Sequence, residues 1–135
     1  MEKITDKQKN EYPNYILYVD YESKRHPNAN IMEGNKNVQY IKIIADNTLD
    51  AIKKAECFIH VYFKHIYLCD IYEKTNEENE RGCPIYHALL RTRIMMDPWG
   101  RMEDIDWHLV DSCHGEQDID IRTFYVDFLK TLKTL

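Results

Sequence analysis

The densest group of chemistry-bearing side chains is His108, Asp111, Cys113 and His114, four potential metal ligands within seven residues. Imidazole, carboxylate and thiolate are donors that zinc and similar ions accept. The spacing follows no zinc motif, and a strand through this segment sends His108 and Asp111 to opposite faces. No metal and no cofactor are therefore expected. Cys57, Cys69, Cys83 and Cys113 show no CxxC or CxH spacing. Cys57 and Cys69 lie among apolar neighbours and read as core thiols. A Cys–His dyad through Cys83 or Cys113 has no spacing to support it. His60 and His65 read as residues at a helix end. Asp104 and Asp106 are a carboxylate pair of the kind common beside exposed strands. GxGxxG, P-loop and GxSxG motifs are absent, and four glycines leave little material for a phosphate cradle. A metal- or thiol-dependent hydrolase using His108, Asp111, Cys113 and His114 stands as a competing reading, but the chain is expected to work by binding.

A second constellation has a different character. Ile94, Met95, Met96, Pro98, Trp99 and Met102 put six apolar residues around Asp97-Pro98-Trp99-Gly100. That tetrapeptide fits a type I turn, with Asp first, Pro second and Gly fourth. Pro98 excludes the primed two-residue turns, so a three-residue loop with left-handed Gly100 is expected between Asp97 and Arg101. In the matching register Met96 faces Met102, Arg91 faces Trp107, Leu89 faces Leu109 and His87 faces Asp111. The rival register sets Leu90 opposite Trp107.

Charge is distributed unevenly around this turn. The chain carries a net −5, yet residues 97–120 alone hold eight acids against Arg101. A concentrated negative field repels phosphate backbones and attracts basic surfaces, so direct nucleic-acid binding is not expected. An apolar tip beside an acidic segment suits capture of a basic protein. The expected contact residues are Met95, Met96, Trp99, Met102, Glu103, Asp104, Asp106, Glu116 and Asp118. The expected partner is a protein with a basic surface, in its most concrete form a nucleic-acid-binding effector. Ile, Lys, Tyr and Asn make up 46 of 135 residues, a composition drawn from A/T-rich codons and shared by many phages and mobile elements. One version of the reading is thus an inhibitor of host defence, anti-CRISPR in type, acting in the host cytoplasm. A homodimeric domain that buries the tip against its own copy is the other competing reading.

Positioning these groups requires a scaffold. At 135 residues with 44% hydrophobic content, one domain with one ordinary core is expected. No apolar run spans a bilayer, and the opening MEKITDKQKN lacks the apolar stretch of a secretory signal. Residues 1–14 read as a flexible tail and 15–135 as the domain. Tyr15–Tyr21 and Val38–Ala45 read as strands, with a long polar loop over 23–37 that holds Lys24, Arg25 and His26. Asn47 caps a helix over 48–63, with Leu49, Ile52, Ala55, Ile59 and Phe63 on its core face. Ile66–Glu73 reads as a central strand, Lys74–Cys83 as a charged connection, and 85–95 with 102–113 as a hairpin. Ile121, Phe124, Tyr125, Phe128, Leu129 and Leu132 fall at helical spacing, with Asp118 or Asp120 as cap. The expected fold is α+β: a mostly antiparallel sheet of about five strands and two helices, in the order β-β-α-β-β-β-α.

Overall fold

The computed structural model describes residues 3–21, 38–110 and 126–135, together with the backbone of 122–123. The elements are α1 (Asp6–Asn10), β1 (Tyr15–Tyr21), β2 (Val38–Ile43), α2 (Thr48–Tyr62), a 3-10 turn (Phe63–His65), β3 (Ile66–Glu78), β4 (Pro84–Arg93), β5 (His108–Leu109), β6 (Arg122–Thr123), α3 (Val126–Lys130) and β7 (Lys133–Thr134). Among the described residues the sheet runs β5-β4-β3-β1-β2-β7, with β6 also on β4. Among the described pairings only β2–β7 is parallel. The α+β class is as the sequence implies. The strands beyond the expected set arise because pieces of only two residues close the edges.

Alternation in β1 divides the interior into two parts. Tyr15, Leu17 and Val19 face α2 and pack with Ile41, Ile43, Cys69 and Ile71. Ile16 faces the other way and packs with Tyr12, Tyr72, Cys83, Tyr86, Val126 and Leu129. β3 is central, between β4 and β1, so apolar residues on both of its faces are buried.

The cap of α2 is as anticipated: the Asn47 side chain accepts from the Asp50 amide at 2.9 Å. Its buried face differs. Ala51, Ala55, Phe58 and Ile59 point inward, whereas Leu49 is 61% exposed. At 3.6 residues per turn the stripe of Ala51, Ala55, Phe58 and Ile59 is centred more than about a third of a turn away from Leu49, which therefore points to solvent.

Both ends of the chain correct the sequence reading. Residues 3–14 are not a frayed tail. Thr5 and Gln8 form a reciprocal capping box, the Ile4 amide donates to the Arg81 carbonyl at 2.7 Å, and Tyr12 is buried. The Tyr86 hydroxyl donates to the Pro13 carbonyl at 2.5 Å, fixing the entry to β1. Two apolar anchors, Ile4 and Tyr12, suffice to dock a polar segment that has no periodicity. At the other end, α3 is one short helix with Val126 and Leu129 buried and Phe128 43% exposed. The Thr131 hydroxyl and amide both donate to the Phe128 carbonyl, and the chain then leaves the helix to pair with β2. Strand pairing on an open edge overrides helical spacing here. Ile121, Phe124, Tyr125, Asp118 and Asp120 lie outside the described residues, as do the loop 23–37 and its basic cluster.

Among the described residues, the sheet centre holds a buried ion pair. Asp70 and Arg91 face each other across β3 and β4, 1% and 8% exposed. Arg91 Nε donates to Asp70 Oδ1 at 2.7 Å and Nη2 to Oδ2 at 2.9 Å, a bidentate fork. Beyond this pair a bulge leaves Leu89 without a β3 partner, so that Ala88 faces Tyr72.

Two outcomes follow for stability. Arg91→Ala leaves the Asp70 carboxylate buried without its guanidinium and is expected to cost about 3–5 kcal/mol in urea unfolding, while Asp70→Leu/Arg91→Met costs less. A loss below about 1 kcal/mol for the single variant would refute the pair as a structural lock. The second outcome concerns alkaline pH. Burial, with Asp70 next to it, pushes the Cys69 thiol above its ordinary 9.0, and burial pushes the Tyr86 phenol above 10.0. The unfolded chain therefore releases these protons first, and stability falls as pH rises past about 9. The urea midpoint measured from pH 8 to 10.5 is expected to decline less steeply in Cys69→Ala and Tyr86→Phe; identical slopes would contradict this assignment.

Candidate functional site

The tip grows out of the end of β4. The Ile94 amide donates to the Tyr67 carbonyl at 3.0 Å, and Met96 bridges Met102 beyond it. The Asp97 amide donates to the Arg101 carbonyl at 2.8 Å, and the Gly100 amide to the Asp97 carbonyl at 3.0 Å. Gly100 has φ +82°, the left-handed residue that a three-residue loop requires. The Asp97 carboxylate completes the turn. Oδ1 accepts from the Trp99 and Arg101 amides at 2.9 and 2.8 Å, and Oδ2 accepts from Arg101 Nε at 3.1 Å. The Arg101 guanidinium then sits 5.6 Å from the centre of the Trp99 ring.

This internal bonding fixes the loop while leaving its apolar side chains outside. Trp99 is 77% exposed, Met95 57% and Met96 45%, and Pro98 is also exposed. Glu103, Asp104 and Asp106 follow on the return segment, all exposed. His108 Nε2 lies 3.2 Å from Asp106 Oδ2. Met102 departs from the expected set, because it is half-buried against the main core together with Ile94, Ile105 and Trp107. Glu116 and Asp118 lie outside the described residues.

The return segment settles the register in a way that neither sequence-based alignment foresaw. Met96 faces Met102 as expected, but Arg91 faces His108 and Leu90 faces Leu109, one residue out of step. The slip falls within 103–107, which pairs with no strand. Arg91 is drawn inward by Asp70, so the anticipated Arg91–Trp107 pair does not form. Trp107 instead crosses to α2, where its Nε1 donates to Glu56 Oε2 at 3.0 Å. Leu89–Leu109 is likewise replaced, and Asp111, the expected partner of His87, lies outside the described residues. Asp70, Glu56 and the anchoring part of Trp107 were missed from the sequence. The lone carboxylate within Tyr67–Tyr72 (YLCDIY) was the available signal, since a charge in a two-faced strand demands a counter-charge.

The other candidates fare differently. His108 is exposed at an edge strand, and Asp111, Cys113 and His114 lie outside the described residues. Among the described residues no three His, Cys, Asp or Glu side chains gather as a metal-binding group. Cys57 is exposed rather than a core thiol, while Cys69 and Cys83 are buried. Burial and the adjacent Asp70 oppose thiolate formation at Cys69. His60 and His65 are both exposed near the end of α2. No helix among the described residues is long and apolar enough to cross a membrane. No protein-family model matches the chain, and no curated protein or solved structure does so either.

The Asp97 carboxylate holds two amides and one guanidinium at an exposed turn, so its role can be isolated. Asp97→Ala is expected to raise amide hydrogen exchange at Trp99 and Arg101 about tenfold or more while lowering overall stability by only about 1–2 kcal/mol. Unchanged exchange at both amides would show that the turn holds without it.

Proposed function

We infer that this protein acts by binding, capturing a basic protein surface through its hairpin tip. The observation that carries this reading is Trp99, 77% exposed on a turn whose own bonds hold it in place. Large aromatic side chains normally lose such exposure on folding, and an indole on a fixed loop loses little further freedom on contact. Met95 and Met96 beside it add adaptable apolar surface. Glu103, Asp104 and Asp106 supply negative charge at the rim, which favours encounter with Lys- and Arg-rich surfaces. In its most concrete form the partner is a nucleic-acid-binding effector, with these carboxylates taking places that phosphates would occupy. That form accords with an inhibitor of the anti-CRISPR type encoded by a phage. Its support is the charge pattern and the A/T-rich composition.

The test is affinity capture from cell lysate with wild type, Trp99→Ala/Met96→Ala, and Glu103→Gln/Asp104→Asn/Asp106→Asn. Wild type is expected to recover basic nucleic-acid-binding proteins, displaced by heparin. Loss of the indole and thioether is expected to weaken capture roughly 30-fold or more, as for a central binding residue. The amide variant is expected to bind more slowly and with less dependence on salt. Recovery of the same proteins by all three forms would overturn the reading.

A further inference from the structure

A second exposed patch lies at the C-terminal end of α2, and its character is opposite to that of the tip. Val61 is 70% exposed and Tyr62 41%, on the last turn of the helix. Residues 60–68 hold Lys64, His60 and His65 and no carboxylate. Lys133 from β7 adds a further cation, its Nζ 5.8 Å from the centre of the Tyr62 ring. This patch is apolar and basic; the tip is apolar and acidic.

The two patches open at the same end of the molecule. β3 begins directly after the 3-10 turn that follows α2, and the Ile94–Tyr67 hydrogen bond ties the base of the tip to that same β3 segment. They do not cover one another within one chain, since Trp99 and Val61 are among the most exposed large apolar side chains. Complementary patches on one end suit a twofold arrangement, in which each copy gives a tip and receives one. Such a pairing closes on itself, whereas a single tip-to-helix contact between distant faces would propagate.

Resting on the reading of the tip as a recognition surface, we propose that its occupant is a second copy of this chain. Trp99, Met95 and Met96 of each copy cover Val61 and Tyr62 of the other, and Glu103, Asp104 and Asp106 meet Lys64, His65 and Lys133. The same pairing hides the tip at high protein concentration and releases it on dilution, so a foreign basic surface competes with self-association.

Sedimentation equilibrium from 1 µM to 1 mM tests this, with circular dichroism and urea midpoints confirming that each variant folds. Wild type is expected to dimerise with rising concentration, and Trp99→Asp and Val61→Asp each to remain monomeric. An equimolar mixture of the two variants retains one intact tip-to-helix contact and is expected to form a weaker heterodimer. Charge reversal supplies a second measurement: Lys64→Glu alone weakens the dimer, and adding Asp104→Lys restores it. A wild-type chain that stays monomeric throughout overturns the proposal. So does a dimer broken by Trp99→Asp but indifferent to Val61→Asp, which would mean tip against tip. A monomer that still captures basic proteins through Trp99 refutes self-pairing alone. A dimer of the expected pattern with no Trp99-dependent capture refutes the foreign partner alone.

Discussion

The bidentate pair between Asp70 and Arg91 is the constraint on which the hairpin depends. It lies inside the sheet, where a charge without a counter-charge is costly, and it joins the two longest strands. A slip of β4 by one residue would swing the guanidinium to the opposite face, against Cys69 and Ile71 of β3, and strip Asp70 of its fork. The register of β4 fixes where Ile94 leaves the sheet, and that exit aims the tip. A buried ion pair of this kind contributes more to choosing one alignment than to net stability, because desolvation offsets most of the attraction.

What the residues disclose in advance depends on the range of the forces involved. β1, β2, α2 with its Asn47 cap, the onset of β3 and the Asp97–Gly100 turn were all legible, because alternation, capping and turn chemistry act over a few residues. The helix face was misjudged at Leu49, since the small Ala51 carries little apolar weight in a sequence pattern yet lies on the buried stripe while the bulkier Leu49 lies off it. The docked N-terminal segment was missed because Tyr12 and Tyr86 find each other across most of the chain. The C-terminal helix proved shorter than its spacing, since β2 offered an edge that no local pattern announces. Register failed for the same reason: Trp107 and Arg91 each found a better partner outside the hairpin, on α2 and on β3.

At the candidate site, residue type was legible and placement only partly so. An apolar turn beside carboxylates is written in the sequence, and Met95, Met96, Trp99, Glu103, Asp104 and Asp106 are all open to solvent. Met102 is not, because the return segment folds over the main core as it heads toward Glu56. The turn is thus held at two points, by Asp97 within the loop and by Trp107 behind it. The side chains left outside are those that neither anchor employs.

The sheet margins carry a consequence for solubility. β5 and β7, the outermost strands of the described sheet, are two residues long, and their residues His108, Lys133 and Thr134 are exposed. Margins this short present few free amides and carbonyls in register, so an invading polypeptide finds little ladder to extend and fibre growth is discouraged. Greasy groups at the molecule's end can then meet other surfaces by side-chain contact without recruiting the backbone into open-ended aggregates.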